Sequence, residues 1–225
     1  MQDDVLIITT LSILAGILGV FVAIFLYYLV QKYPKGSREM VEVWNAIREG
    51  AKAYMSKQIK TIMSFTFGLS IAVLVMIYVV YTVAMKIPHD IALKEALLTA
   101  VSVLVGGASS IAAAFFSMDA STRTNVRVTE AGKKSGLEAL KVSILGGGVL
   151  GFSVYSLSLL GLSVLFLLYS LMGVGLAEEV EFRMALDALA GFAFGASLSA
   201  LFAQLGGGIY TKAADIGADL VGKIE

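Results

Sequence analysis

Residues 5–30 read VLIITTLSILAGILGVFVAIFLYYLV, 26 consecutive residues without a charge. At a rise of ~1.5 Å per residue a helix of this length reaches ~39 Å, more than the ~30 Å hydrocarbon core of a bilayer. Four further uncharged runs follow at 61–85, 96–118, 142–177 and 188–211. The only two prolines, Pro34 and Pro88, lie between runs, so no run contains the strongest helix breaker. A chain crossing lipid must satisfy its peptide groups internally, and these runs are far longer than barrel strands. The expected fold class is therefore all-α: a polytopic transmembrane helical bundle forming one region over 1–225. Its five spans are placed at about 5–30, 61–85, 96–118, 142–172 and 184–225, the last extending into the cytoplasm.

Composition agrees. The chain is 58% hydrophobic and 15% charged, with a mean hydropathy of +0.85, whereas a soluble domain carries roughly 25% charged residues. Absence of cysteine excludes disulfides, thiolate-bound zinc, iron–sulfur centres and thiol catalysis. His89 is the single histidine, which excludes a histidine metal cluster or a serine–histidine triad within this chain. Seventeen basic residues balance 17 acidic ones, and nothing points to nucleic acid as a partner.

The placement of charge is more informative than its sum. Lys32, Lys35, Arg38, Arg48, Lys52, Lys57 and Lys60 lie between the first two runs, Arg123, Arg127, Lys133, Lys134 and Lys141 between the third and fourth, and Lys212 and Lys223 in the tail. Only Lys86, Lys94 and Arg183 fall in the alternate segments. Fourteen of 17 basic residues thus share one side, which the positive-inside rule makes cytoplasmic, with the N-terminus outside. The first run is read as a retained helix, since it is too long for a secretion signal and follows Asp3 and Asp4 instead of a basic leader. The chain is accordingly expected to be an integral multi-pass protein of the cell membrane or of an acidic compartment's membrane, with the lipid bilayer as a partner.

Between the first two runs, Pro34 and Gly36 mark a turn, and Ser37 with Glu39 signals a helix start. Met40, Trp44, Ile47, Ala51, Tyr54 and Met55 recur at three- and four-residue steps, a stripe set opposite Arg48, Lys52 and Lys57, in a helix expected to lie at the cytoplasmic surface and run into the second span. Residues 119–141 are read as a polar cytoplasmic segment, either a topogenic loop or a basic surface for phosphate or lipid headgroups. Gly147 with Gly151, and Gly191 with Gly195, have the four-residue spacing that lets helices approach closely.

The tail carries the chemistry. Residues 206–225 read GGGIYTKAADIGADLVGKIE, with no proline to stop the fifth helix. At ~100° per residue, Asp215, Asp219 and Lys223 advance only ~40° per step and Lys212 falls between the last two, while Glu225 lies ~80° to the other side of Asp215. Two carboxylates and two ammonium groups therefore share a face. One reading is a ladder of helix-surface ion pairs, with Asp219 and Lys223 correctly oriented at i, i+4. The other is a metal–polyphosphate wall: Asp215 and Asp219 as magnesium ligands, Lys212 and Lys223 as point charges for phosphate.

This tail resembles the membrane-bound, ion-pumping inorganic pyrophosphatases, carrying their Asp-x7-Lys-x-Glu signature as Asp215, Lys223 and Glu225. The resemblance extends to Glu49-Gly50-Ala51-Lys52-Ala53-Tyr54, to Asn125-Val126-Arg127 with Glu130-Ala131, and to Glu138-Ala139-Leu140-Lys141-Val142. It implies the N-terminal portion of a homodimeric pump of sixteen helices per subunit, which hydrolyses Mg-pyrophosphate on the cytoplasmic side and drives H⁺ or Na⁺ outward. K⁺ or Na⁺ are further cofactors such a pump uses. It also implies magnesium at Asp215 and Asp219, pyrophosphate at Lys212 and Lys223, and Glu225 on the flank. Gln204 stands where that family usually has the arginine of its coupling gate, ~16 Å deeper along the helix than Asp215 and within ~20° of it. The chain stops at Glu225, before the further helices whose aspartates complete such a site, so a missing C-terminal part is expected and the chain alone should be inactive. The competing reading is a non-catalytic membrane subunit or decayed paralogue with structural helix-end salt bridges.

The charge asymmetry makes the orientation testable. Single cysteines replacing Gly36, Ser135 and Gly222 should be shielded from an impermeant reagent outside sealed cells, while those replacing Gln2 and Gly175 should react. Labelling of Ser135→Cys from outside would reverse the topology.

Overall fold

The computed structural model describes the backbone of residues 2–172 and 179–224, and the side chains of 6–172 and 185–224. Five long helices run up and down: α1 Gln2–Gln31, α2 Arg38–Val79, α3 His89–Gly132, α4 Gly136–Leu171 and α5 Glu179–Val221. A single π-helical turn, Val80–Ala84, finishes α2. All five helices are long and apolar enough to cross a membrane. Aliphatic and aromatic side chains along α1, from Leu6 to Tyr28, lie largely exposed, as expected of a surface solvated by lipid instead of water.

At 42, 44 and 43 residues, α2, α3 and α5 reach ~63–66 Å and project well past a ~30 Å hydrocarbon layer. The alternation brings their charged halves to one end of the bundle. Trp44 Nε1 on α2 donates to the Thr122 carbonyl on α3 at 2.8 Å, and Tyr210 OH on α5 donates to the Ile47 carbonyl at 3.3 Å. The opposite end holds an apolar core of Tyr81, Ala92, Leu165, Tyr169, Ala185, Ala188 and Phe192.

α3 is the centre of the bundle, packing on α2, α4 and α5, with α1 outermost against α4. Its crossing with α5 is backbone on backbone. A β-carbon at Gly106 would strike the Phe192 carbonyl, and one at Gly195 the Val103 carbonyl; at Gly191 it would come within 2.8 Å of the Thr99 carbonyl. The expected role of Gly191 and Gly195 in close packing is thus met. For Gly147 and Gly151 it is not: nothing lies within 4 Å of a β-carbon there, and on α4 Gly146 makes the contact instead, against Thr124.

Two local expectations also change. The helix begun by Ser37, whose Oγ accepts from the Met40 N–H at 3.5 Å, does run unbroken into the second span. Trp44, Ala51 and Met55 are buried, but Ile47 is exposed. Arg48 does not lie opposite them. It follows Trp44 by four residues, only ~40° around the helix, and turns inward to Asp119 Oδ1 at 3.2 Å. Residues 119–141 are mostly helical and not a loop: α3 continues to Gly132, a three-residue turn follows, and Ser135 caps α4 by accepting from the Glu138 N–H at 3.1 Å, while Lys133, Lys134 and Lys141 are exposed around the turn. Arg127 there is buried, donating to the carbonyls of Tyr33 at 3.1 Å and Arg123 at 2.6 Å, because a guanidinium that deep must spend its N–H groups on internal acceptors.

Asp119 ties three helices together. It accepts from Tyr27 OH on α1 at 2.9 Å, from Arg48 on α2 at 3.2 Å and from Arg123 Nε on α3 at 2.6 Å. Asp119→Ala strands two part-buried guanidinium groups and should lower unfolding stability in detergent by ~1–2 kcal/mol, intermediate between surface and fully buried pairs. Glu138→Ala, which breaks only an exposed pair with Lys141 at 2.7 Å, should leave the SDS-unfolding midpoint unchanged.

Candidate functional site: the charged face of the fifth helix

Three adjacent glycines at 206–208 are the weak point of a long helix, each costing up to ~1 kcal/mol against alanine. α5 nevertheless passes through them without a break. The reason lies on α2. Tyr54 OH donates to the Ala203 carbonyl at 3.2 Å and Gln58 Nε2 to the Phe202 carbonyl at 2.8 Å, while the Tyr54 and Tyr210 rings sit 5.4 Å apart and those of Phe65 and Phe202 stack at 4.9 Å. Gly206 is buried under this brace, a β-carbon there falling 2.5 Å from Tyr54 OH. Gly207 and Gly208 meet nothing within 4 Å. Of these bracing residues only Tyr54 stood out in the sequence. Gln58 gave no signal, since one polar residue near a span end looks like any other.

The brace fixes which way the tail faces. Taking Gly206 as the packed direction, Asp215 lies ~180° around the helix, Asp219 ~220°, Lys212 ~240° and Gln204 ~160°. The face points away from the bundle, and residues 211–224 are all exposed. Lys212 Nζ and Asp215 Oδ2 approach to 3.8 Å with side chains 74% and 67% exposed, a pair held too loosely in water to contribute much stability. Lys223 is placed in the turn beyond the last helical residue, Val221, so it leaves the helical face on which i, i+4 spacing put it beside Asp219. Gln204 is exposed on the side shared by Asp215. Glu225 lies outside the described residues.

Chemically the face is a wall. Among the described residues no three Asp, Glu, His or Cys side chains converge on a metal-sized space. Asp215 and Asp219, one turn apart, are two hard oxygen donors of the kind Mg²⁺ accepts when phosphate oxygens and water complete its octahedron. Lys212 sits beside them with its ammonium free to turn toward an anion.

Residues 17–225 match the family model described as inorganic H⁺ pyrophosphatase. The chain is 39% identical over 212 residues to a K(+)-insensitive pyrophosphate-energized proton pump of Methanosarcina mazei, covering 94% of this chain and 27% of that protein. It is 39% identical to the protein of the same description from Caldanaerobacter subterraneus subsp. tengcongensis, over 93% of this chain and 29% of the relative. A pyrophosphate-energized membrane proton pump 3 of Arabidopsis thaliana is 36% identical, over 93% of this chain and 26% of its own length. The chain therefore spans between a quarter and a third of the length of these relatives.

The brace predicts opposite outcomes at neighbouring glycines. Gly206→Val must push Tyr54 and Gln58 off the α5 carbonyls and should cost ~1–3 kcal/mol. Gly208→Ala meets open space and should stabilise by up to ~1 kcal/mol. Circular dichroism during thermal unfolding in detergent checks both; equal effects would mean α2 does not hold α5 here.

Proposed function

We propose that this chain, which belongs to the inorganic H⁺ pyrophosphatase family, provides the first membrane helices and one wall of the substrate site of a pump. The pump couples pyrophosphate hydrolysis to outward movement of H⁺ or Na⁺. The observation that carries this reading is the Lys212, Asp215 and Asp219 face, turned ~180° from the helix's packed side and lying within the residues matched to the family. Its place inside the family match, and not its orientation alone, favours a site shared with further helices over an ion-pair ladder.

In this reading the basic-rich end of the bundle is cytoplasmic and the assembled protein is a homodimer. Asp215 and Asp219 would hold magnesium, which when bound neutralises charge on the phosphate oxygens. Lys212 binds those oxygens directly as a point charge, with Lys223 supplying a second from the turn at the end of the helix. The reaction is attack of water on one phosphorus of the phosphoanhydride, with the second phosphate leaving. This chain's part is to bind and orient the pyrophosphate, because positioned charge supplies most of the rate in such transfers. Opposing carboxylates from the remaining helices orient the water. Gln204, about three turns deeper, lines the ion path without the charge an arginine brings.

The purified 225-residue chain should release no phosphate from Mg-pyrophosphate. Co-expressed with the downstream part of the Methanosarcina mazei relative, it should become active and lose that activity on Asp215→Ala or Asp219→Ala. Gln204→Arg in the active complex should change ions moved per pyrophosphate more than hydrolysis itself. Hydrolysis by the isolated chain, or a complex indifferent to Asp215→Ala, would contradict the assignment.

A further inference from the structure

At the end of the bundle remote from the charged face, α3 buries a polar stripe. Glu95, Thr99 and Ser102 recur at steps of four and three and so share one side of the helix. They are 1%, 3% and 0% exposed. Ser102 is provided for: it shares a hydrogen bond of 2.7 Å with Tyr169 OH on α4, which also donates to the Leu98 carbonyl at 2.9 Å. Neither Glu95 Oε1 nor Thr99 Oγ1 completes a hydrogen bond among the described residues, although the Thr99 hydroxyl lies beside the Glu95 carboxylate. A second acid faces them from α5, where Asp187 lies within electrostatic range of Glu95. Asp187 accepts a 2.5 Å hydrogen bond from Tyr81 OH, which the π-helical turn carries into the core, and single π turns recur at functional sites.

Among the described residues, the charged and titratable groups around Glu95 are Lys94 on its own helix, Tyr81 after α2, Tyr169 on α4 and Asp187 on α5. Lys94 is exposed and directs its Nζ to the Met172 carbonyl at 3.4 Å, so it does not cap the orphaned oxygen. A buried carboxylate with an unpaired oxygen and a half-buried one reaching toward it from the facing helix are unfavourable together unless positive charge joins them. Ionisable groups buried between membrane helices mark ion or proton sites by default.

We infer that Glu95, Thr99 and Asp187 form a site for one unit of positive charge: either a proton shared by the two carboxylates or a sodium ion held by their oxygens and the Thr99 hydroxyl. The site lies ~42 Å along α5 from Asp215, 28 residues away. It stands or falls independently of the pyrophosphate reading, and its test uses no substrate.

The purified chain in detergent provides the test, by infrared spectroscopy at neutral pH and thermal unfolding with NaCl exchanged for choline chloride. A protonated-carboxyl carbonyl band that disappears in Glu95→Gln and shifts in Asp187→Asn identifies a proton. Absence of that band, with a melting temperature raised by Na⁺ over choline in the wild type and unresponsive in Glu95→Gln and Thr99→Val, identifies sodium. Thr99→Val keeps both carboxylates, so it remains informative if Glu95→Gln fails to fold. A wild type with no protonated band and the same Na⁺ response as Thr99→Val and Asp187→Asn overturns the site.

Discussion

Everything about this bundle follows from the contact of α3 with α5, where Gly106 on one helix and Gly191 and Gly195 on the other let peptide carbonyls take the space of side chains. Lipid tails are as apolar as leucine, so membrane helices gain little by hiding aliphatic surface from them, and close backbone packing and interhelical hydrogen bonds must supply the attraction. The α3–α5 crossing sets the rotation of α5 about its own axis. Tyr54 and Gln58 extend that control beyond the membrane by bonding the carbonyls of Ala203 and Phe202. Rotation at Gly195 thereby determines, ~5.6 turns later, that Asp215 faces outward.

The same logic explains the buried hydroxyls. Ser70 Oγ donates to the Ala100 carbonyl at 2.8 Å, and Thr66 and Ser199 share a hydrogen bond of 3.2 Å between α2 and α5. Each is a small side chain that fits a close interface and satisfies itself there. Glu95 differs from these as a buried carboxylate with an unpaired oxygen, and the two ends of α5 differ as well. At one end the half-buried Asp187 accepts a hydrogen bond from the buried Tyr81. At the other, polar residues are held out on a straight rod for a partner to meet.

How much of this was legible in the sequence depends on whether the physics is local. Charge-free runs of more than 20 residues announce helices because the bilayer imposes its thickness on one contiguous segment, and the Ser37 and Ser135 caps lie within three residues of the groups they satisfy. Continuity of α5 through 206–208 was readable from the missing proline. Rotational facts were not. Charge alone assigns Arg48 to the polar side although only ~40° separates it from Trp44, because its partner Asp119 is distant in sequence. Gly147 and Gly151 have the same spacing as Gly191 and Gly195, and only the neighbour differs. Glu95 and Asp187 each adjoin a charge-free run, at 96–118 and 188–211, where an acid looks like a solvated span end; the helices in fact begin earlier and bury Glu95.

The central claim is that one face of α5, opposite its packed side, meets Mg-pyrophosphate. It is tested most directly by cysteine protection in the chain complemented with the downstream part of a relative. Thr211 lies one turn before Asp215 and ~40° from it, whereas Ala213 lies ~160° away. Mg-pyrophosphate should slow modification of Thr211→Cys by a water-soluble thiol reagent and leave Ala213→Cys unaffected. Equal protection of both, or protection of Ala213→Cys alone, would mean that the helix presents a different face to the substrate.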